Sequence, residues 1–348
     1  MGHKKAKIIG GIILGLLGLY LIGGIGATLV VTHIVVGHRG SSEEDVGRIE
    51  YRIYKQRQDY PLMASRTEET FRSGNNTLTG YRYRVANPKG LVLAAHGMNS
   101  LSDGPEVAYE NLFLEQGYDV FAIDLTGCGK STGESMGSLS QSAYDVKAAY
   151  DHVKNDALLQ NANPILVGYS WGAYGVAISQ DLGVKADKII AFSAFNRPYD
   201  LMLSSAIHRV GWGAYLTVPP FALGTLLQQG QDAYKSAAEA LERGSAKALI
   251  IQGKFDSTVS MNVSLFMAFD KTHPCAKYQF YLNDATHVSP WLSSDARKYI
   301  SKEITPKLAE LNNKPKEEID AFIAGIDKEK SSALDAAMVK KVAALLNE

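Results

Sequence analysis

The chain has 348 residues, and its 36 basic and 36 acidic side chains give a formal net charge of zero. This length is enough for one large α/β domain with appendages. The balanced charge and the lack of a basic patch interleaved with aromatic residues argue against a nucleic-acid partner. Cys128 and Cys275, the only two cysteines, form neither a disulfide framework nor a metal motif. We therefore expect no metal and no cofactor.

The N-terminus predicts a membrane anchor. Residues 1–7 contain three lysines, and residues 8–36 that follow contain no Asp, Glu, Lys or Arg over 29 positions. About 20 apolar residues span a bilayer, whereas the apolar core of a signal peptide has about 7–15. We predict an uncleaved single-pass signal anchor in the cell membrane, with a cleaved signal peptide as the alternative.

The charges that flank the anchor predict its orientation. Lys4, Lys5 and Lys7 are tightly clustered, whereas the basic residues after the anchor are spread out and diluted by acidic ones. This asymmetry favours a cytoplasmic N-terminus and an extracellular catalytic domain. Residues 37–65 are polar and charged, and we predict that they form a juxtamembrane stalk leading into a domain over residues 66–348.

The chain after the stalk alternates strands and helices. Thr67–Arg72 and Thr79–Ala86 flank a turn and predict a hairpin. The next predicted elements are strands at Gly90–Ala95, Tyr118–Ile123, Lys188–Ser193, Ala246–Gln252 and Lys277–Leu282, and helices at Val107–Gln116 and Gln141–Val153. This alternation favours an α/β fold with a mostly parallel sheet and helices on both faces.

The alternation stops between residues 196 and 243. Val210–Leu227 has no charged residue and is long enough for a second membrane helix, but Pro219-Pro220 and its glycines argue against one. We predict a helical cap over the active site, whose apolar underside either lines a substrate pocket or only packs on the domain. Beyond Trp291 the chain is predicted to be helical, with a tail at about 304–348.

The segment Pro164–Ala173 predicts a strand, a sharp turn and a helix. It contains Gly168-Tyr169-Ser170-Trp171-Gly172, which matches the G-x-S-x-G pattern of a nucleophile elbow. The elbow holds a serine on a strained turn at the end of a strand. Ser170 is therefore the predicted nucleophile.

The predicted strand Gly90–Ala95 leads into His96-Gly97-Met98-Asn99. In the elbow architecture, this loop and the residue after the nucleophile each contribute one backbone N–H to an oxyanion hole. These donors are predicted to be the N–H groups of Met98 and Trp171. Tyr169 and Asn99 are predicted to contact the substrate, and His96 is predicted to shape the loop.

An acid and a base are predicted after later strands. Asp256 follows the strand Ala246–Gln252, and His287 follows the strand that ends at Leu282. The chain order Ser170, Asp256, His287 is that of an elbow-type triad. Other acidic residues and histidines have less suitable positions. The competing candidates for the acid are Asp200 and Asp284, and those for the base are His152, His208 and His273.

The segment Asp124–Ser131 superficially resembles a phosphate-binding loop. It lacks the G-x-x-x-x-G-K-[ST] spacing, because Gly127 and Gly129 are too close together. We predict a tight loop at the rim of the active site. Cys128 has no histidine paired with it in sequence and is not predicted to be a nucleophile.

These motifs together resemble the α/β-hydrolases from about Thr67 to Ile300. The chain is most similar to membrane-anchored bacterial members grouped with serine aminopeptidases and lysophospholipase-like esterases. The markers that carry the resemblance are His96-Gly97, the loop from Asp124 to Ser131, the elbow, Asp256 and His287. The single Gly97 departs from the glycine run of hormone-sensitive-type esterases. The resemblance implies an eight-stranded, mostly parallel sheet and serine hydrolase chemistry.

The substrate class is predicted from the apolar cap and the nearby membrane. We expect hydrolysis of a small-molecule carboxylic ester, such as a lipid-like acyl ester, without a cofactor. A serine aminopeptidase or amidase with the same triad is the enzymatic alternative. A catalytically silent, membrane-anchored binding protein is the alternative of another class. The sequence leaves the oligomeric state open.

Overall fold

A computed structural model describes residues 2–269 and 277–348, with the side chains of residues 2, 3, 209, 210, 212, 214 and 216 left out. His273 and Cys275 lie outside the described residues. The described chain forms one eight-stranded sheet. Its strands are β1 (Thr67–Ser73), β2 (Asn76–Tyr83), β3 (Leu91–Ala95), β4 (Asp119–Ile123), β5 (Ile165–Tyr169), β6 (Lys188–Phe192), β7 (Lys247–Gly253) and β8 (Tyr278–Asn283).

Helices precede the sheet, connect its parallel strands and follow it. They are α1 (Gly2–Val36), α2 (Ile49–Arg52), α3 (Val107–Glu115), α4 (Gln141–Val153), α5 (Trp171–Ile178), α6 (Pro198–Val210), α7 (Val218–Gln229), α8 (Ala237–Arg243), α9 (Leu265–Ala268), α10 (Ser294–Tyr299), α11 (Thr305–Leu311), α12 (Lys316–Ala324), α13 (Lys328–Ser331) and α14 (Ala336–Asn347).

The sheet order is β1-β2-β4-β3-β5-β6-β7-β8. β1 pairs antiparallel with β2, and β2 with β4, whereas all other neighbouring strands are parallel. The predicted mostly parallel, eight-stranded sheet is confirmed, with an antiparallel edge. In the parallel part, the carboxyl ends of β3, β5, β7 and β8 lie along one side of the sheet, where such folds place their sites.

Both faces of the sheet are covered by helices. An apolar core lies on each face of the sheet, and strand residues alternate between the two cores because side chains along a strand have a two-residue period. Leu91 and Leu93 lie in the first core, and Val92 and Ala94 lie in the second. α4, α5 and α8 cover the first face, and α3 and α14 cover the second. The central strands are buried on both sides, which explains their continuous apolar sequences.

The N-terminal helix has an exposed part and a packed part. Lys4–Val36 is the one helix in the described chain that is long and apolar enough to cross a membrane, by length and composition. Towards its C-terminal end, α1 packs along α7 of the cap. A Cβ atom at Gly24 would lie 2.4 Å from the Pro220 side chain, and one at Gly224 would lie 2.8 Å from Thr28. Small residues therefore allow this close approach.

The segment predicted as a stalk, residues 37–65, packs on the domain. Met63 is fully buried, and Ile53, Tyr54 and Tyr60 belong to the same core as α3 and α14. Ser331 of α13 donates a hydrogen bond to the Ile53 carbonyl at 2.6 Å. These contacts attach the segment to the C-terminal helices, so that it does not stand apart from the domain.

The region between β6 and β7 contains α6, a 3-10 helix at Gly211–Thr217, α7 and α8. The cap predicted over residues 196–243 spans this region. The C-terminal helices pack on the domain. Met338, Val342 and Leu345 of α14 are buried, and Leu334 packs against the same core.

Candidate active site

The turn between β5 and α5 carries Ser170 in a strained conformation. Its φ of 52° lies in the left-handed region, which non-glycine residues rarely adopt. The flanking glycines make this turn possible. A Cβ atom at Gly168 would lie 2.5 Å from the Gly172 backbone, and one at Gly172 would lie 2.3 Å from the Ala95 carbonyl oxygen. The local sequence therefore forms the elbow that its spacing predicts.

Ser170, His287 and Asp256 lie in one hydrogen-bonded line. The Ser170 Oγ atom is 2.9 Å from His287 Nε2, and His287 Nδ1 is 2.7 Å from Asp256 Oδ2. They follow β5, β8 and β7 respectively, whose carboxyl ends lie on the same side of the sheet. Sequence reasoning placed each residue after its strand, and the structure brings all three together.

The Asp256 carboxylate is buried and held by several donors. Its Oδ1 atom accepts the N–H groups of Thr258 at 3.0 Å and Val259 at 2.7 Å. Its Oδ2 atom accepts Gln252 Nε2 at 3.1 Å, in addition to His287. Gln252 also donates to the Val259 carbonyl at 3.1 Å. Sequence analysis missed Gln252. Its only signal in the sequence is a single glutamine within an apolar strand, which does not indicate a contact with Asp256.

The two predicted oxyanion donors both line the cavity beside Ser170. Within the described residues, neither the Met98 N–H nor the Trp171 N–H has a recorded hydrogen-bond partner. Trp171 is the first residue of α5, so helix geometry leaves its N–H without an internal acceptor. Two unpaired amides next to a nucleophile can stabilise a developing negative charge.

His96, which is predicted to shape the loop after β3, has both ring nitrogens in hydrogen bonds to the backbone. Its Nε2 atom accepts the Leu125 N–H at 3.0 Å, so Nδ1 carries the proton and donates to the Gly97 carbonyl at 2.7 Å. Burial lowers the pKa of His96 and favours this neutral form. The ring therefore connects the loop after β3 with the loop after β4.

Glu106 is a second residue that sequence analysis missed. Its buried carboxyl group accepts the Ser100 hydroxyl at 2.9 Å and the Gly97 N–H at 3.3 Å. Burial raises the pKa of Glu106 to about 7. A glutamate between a loop and a helix is common in sequences, so only its contacts reveal that it supports the loop after β3.

The glycine-rich segment after β4 is a closed structural loop. Asp124 Oδ1 accepts the Ser102 N–H at 3.0 Å and the Ser102 hydroxyl at 2.7 Å, and Oδ2 accepts the Lys130 N–H at 3.0 Å. Internal bonds therefore occupy groups that a phosphate would need. Cys128 is fully buried, and burial raises its pKa to about 12, which keeps the thiol protonated and unreactive.

The competing acids and histidines lie away from this line. Asp200 lies in the first turn of α6 near Arg197, and Asp284 forms an ion pair with Arg297. His152 contacts Glu69 at 2.8 Å on the outer part of the domain. His208 is exposed on α6. Among the described histidines, His287 is the one that contacts Ser170.

Tyr169 and Asn99 both line the cavity but also have structural contacts. The Tyr169 hydroxyl donates to the His287 carbonyl at 2.8 Å, and its ring packs 5.2 Å from the imidazole. The Asn99 carbonyl accepts hydrogen bonds from the hydroxyls of Ser41 and Tyr51. Tyr169 therefore helps to orient His287, and Asn99 connects the oxyanion loop to the segment after α1.

Ser170 opens into a cavity of about 380 Å³, within the range of about 300–1,000 Å³ typical of small-molecule sites. The cap contributes Leu201 and Met202 of α6, and the domain contributes Leu139 and Phe195. None of the described residues that line this cavity is Asp, Glu, Lys or Arg. Side chains of α6, within the predicted cap, therefore line this cavity. No group of metal-binding side chains is found among the described residues.

Comparison with known sequences gives a family and two relatives. Residues 86–223 match the family described as "Serine aminopeptidase, S33". This range contains Ser170 and the oxyanion loop but ends before Asp256 and His287. The chain is also 31% identical over 105 residues to a multifunctional-autoprocessing repeats-in-toxin protein of Vibrio cholerae and 30% identical over 113 residues to one of Vibrio vulnificus. The matches cover 27% and 30% of this chain and only 2% of each toxin.

Comparison with one solved structure supports the fold, and a second structure is also similar. An esterase of Pyrococcus furiosus superposes with a TM-score of 0.50 and 16% identity, covering 75% of this chain and 91% of the esterase. An alpha-beta serine hydrolase homologue from Coxiella burnetii gives a TM-score of 0.42 at 18% identity. The superposition covers 64% of this chain and 88% of the homologue. At these identities, the likeness to the esterase concerns the fold alone.

Proposed function

We propose that this chain, which belongs to the α/β-hydrolase superfamily and is a serine hydrolase, cleaves carboxylic esters as a membrane-anchored enzyme. The observation that carries the proposal is the Ser170–His287–Asp256 line at the base of an uncharged, largely apolar cavity. Ser170 is the proposed nucleophile, His287 the base and Asp256 the residue that orients it. The Met98 and Trp171 amides are the proposed oxyanion donors.

Acylation follows from this geometry. Ser170 Oγ forms a bond to the ester carbonyl carbon while its proton moves to His287 Nε2 over the 2.9 Å contact. The carbonyl oxygen becomes negative and is stabilised by the two amides. The carbon–oxygen bond of the leaving alcohol then breaks, and His287 returns the proton to that oxygen. The products of this step are a free alcohol and an acylated Ser170.

Deacylation repeats these steps with water. His287 Nε2 takes a proton from water as the water oxygen attacks the acyl carbonyl carbon. The bond to Ser170 Oγ breaks, the proton returns to Oγ, and the carboxylic acid leaves. His287 Nδ1–H donates a hydrogen bond to the Asp256 carboxylate throughout, which holds the imidazole in the required tautomer.

The cavity favours an ester over a peptide N-terminus as substrate. An aminopeptidase must bind a charged amino group, which calls for a carboxylate near the nucleophile. The described lining has no acidic side chain, whereas its valine, leucine, methionine and phenylalanine side chains suit an acyl chain. An aminopeptidase or amidase would use the same nucleophile. Only the substrate preference of the enzyme therefore distinguishes these alternatives from an esterase.

A fluorophosphonate probe tests the nucleophile. The full chain in detergent should be labelled, and Ser170→Ala should not be labelled and should lose ester hydrolysis by about 10⁴–10⁶-fold. Ser205→Ala, which changes another serine of the cavity lining, is the matched control and should keep its labelling. Absence of labelling in the folded native chain would support a silent binding protein and overturn the proposal.

Substrate panels separate ester from amide hydrolysis. We expect p-nitrophenyl esters to be cleaved with a kcat/KM that rises with acyl length, and aminoacyl anilides to be poor substrates. The opposite preference would favour the aminopeptidase alternative.

The proposed topology is a cytoplasmic N-terminus and an extracellular domain, based on the lysine cluster ahead of α1. Protease added to intact cells should digest the domain. Protection in intact cells with digestion after lysis would reverse the orientation.

A further inference from the structure

The C-terminal part of α1 forms one wall of the active-site cavity. Val31, Ile34 and Val35 line the same space as Ser170, Met98 and His287. Val31 and Val35 are four residues apart and therefore lie on one face of the helix. A segment whose composition suits a membrane span thus contributes directly to the proposed substrate site.

Close packing holds this wall in place. Thr28, Thr32 and Val36 form a neighbouring stripe of α1 and are almost completely buried. Thr28 lies against Gly224 of α7. The chain after the helix is also attached to the rim, because the Gly40 N–H donates to the Gly127 carbonyl at 3.0 Å and Gly129 donates to Ser41 at 2.7 Å.

The length of α1 places this wall at the edge of a bilayer. Residues 8–36 rise about 43 Å at about 1.5 Å per residue, whereas the hydrocarbon core is about 30 Å thick. Counted from Ile8, about 20 residues fill the core, so the helix leaves the hydrocarbon near Thr28. Packing against the cap begins before this point, since Gly24 lies against Pro220, and Thr28 is 0% exposed. The Val31–Val35 wall therefore follows the hydrocarbon edge counted in this way within about two helical turns.

Apolar side chains continue from this edge to the cavity. Ile34 lines the cavity although 57% of it is exposed, so it lies at the mouth. Leu227 of α7, the cap helix that packs on α1, is 68% exposed. Such exposed apolar residues are costly in water and favourable against lipid tails.

We propose that the substrate is an ester of a long acyl chain that resides in the bilayer, and that the chain reaches Ser170 along the Val31–Val35 face of α1. This inference rests on the proposed esterase function and adds the substrate class and its route. The anchor helix is then a specificity-determining part of the site. The bilayer both holds the enzyme and supplies its substrate.

Substitutions on α1 test the wall. In the full chain in detergent, Val31→Phe should lower kcat/KM for p-nitrophenyl dodecanoate at least tenfold more than kcat/KM for the acetate, since only the long chain needs the full length of the wall. Val31→Ala, which enlarges the cavity, should shift the acyl-length preference upward. Val30→Phe is the matched control, because Val30 is 59% exposed on the outer face of α1.

Substrate presentation tests the route. A fluorogenic oleate ester in phosphatidylcholine vesicles containing the enzyme should be hydrolysed at a rate that follows its mole fraction in the bilayer at constant bulk concentration. A rate that follows only the bulk concentration would overturn the route. The native chain could hydrolyse the acetate while neither Val31 substitution changes the acyl-length preference. This result would overturn the proposed role of α1 as a wall of the substrate site, and it would leave the esterase proposal intact. Loss of acetate hydrolysis in the native chain would instead contradict the esterase proposal on which the inference rests.

Discussion

At the scale of single residues, the proposed acid depends on Gln252. Asp256 is buried, and a buried carboxylate needs donors on both oxygens. Gln252 is fully buried beneath it and reaches both Asp256 and the Val259 carbonyl. It therefore fixes the carboxylate and the loop that carries it.

Gln252→Leu should lower kcat about 10–100-fold with little change in KM, because a hydrogen bond to a charged group contributes about 1.5–3 kcal/mol. Steady-state kinetics on p-nitrophenyl acetate measure this split. Gln279→Leu is the matched control, since Gln279 lies on the neighbouring β8 and contacts Glu348. An effect on KM alone would contradict a positioning role.

Glu106 predicts a pH dependence of stability. Its folded pKa of about 7 lies above the ordinary value of 4.5, so the folded state binds more protons between these values. The contribution of Glu106 to stability is therefore fully present below pH 4.5 and decreases as the pH rises to about 7.

Glu106→Gln should flatten this dependence, because the amide does not titrate, while its oxygen can still accept the Gly97 N–H and its NH2 group can donate to the Ser100 hydroxyl. Thermal unfolding of both proteins between pH 5 and 8 measures it. Burial also raises the pKa of Glu110. In Glu106→Gln, stability should therefore still decrease with rising pH, but less steeply. An unchanged slope in Glu106→Gln, equal to that of the exposed control Glu115→Gln, would contradict this assignment.

At the scale of elements, the elbow depends on the close packing of α5 on β3. Gly172 lies against the carbonyl oxygens of Ala95 and His96, so that no side chain fits there. This contact also sets the distance between the elbow and the oxyanion loop.

Gly172→Ala should destabilise the protein by about 1–3 kcal/mol or more, as overpacking does, and should slow fluorophosphonate labelling. Denaturant unfolding and labelling rates measure the two effects. Gly47→Ala is the control, because a Cβ atom there meets nothing within 4 Å. Equal behaviour of the two variants would show that the packing is less tight than the structure indicates.

At the scale of the whole molecule, the segment after α1 contacts the C-terminal helices. The Lys55 N–H donates to the Ser332 hydroxyl at 2.8 Å, and Arg52 pairs with Asp320 at 2.7 Å. The helical tail is part of the domain core, since Met338 of α14 is fully buried.

Met338→Ala should therefore cost about 2–5 kcal/mol of unfolding free energy, as for other buried methionines. Lys340→Ala, on the exposed side of α14, should cost little. Chemical denaturation in detergent measures both. A small effect of Met338→Ala would show that the tail is dispensable to the core.

Local sequence patterns predicted most of the fold and the Ser170 elbow. Apolar runs and their spacing determine strands and helices, and parallel strands align their carboxyl ends, so the positions of Asp256 and His287 after their strands brought them to one edge. Chain order also led to the prediction that the loop after β3 supplies an oxyanion donor. These features depend on backbone periodicity and short-range sterics, which a sequence displays directly.

Other features depend on how distant elements dock. The packing of residues 37–65 rests on contacts between residues far apart in the chain. The supports from Gln252 and Glu106 lie close in sequence to the groups they hold, but they depend on side-chain orientations that only the folded loops set. Distant contacts also form the Val31–Val35 wall: sequence pattern marked α1 as an anchor, but only its packing along α7 made it a side of the cavity. An apolar helix fits lipid and protein equally well, so its neighbours decide which of the two each face meets.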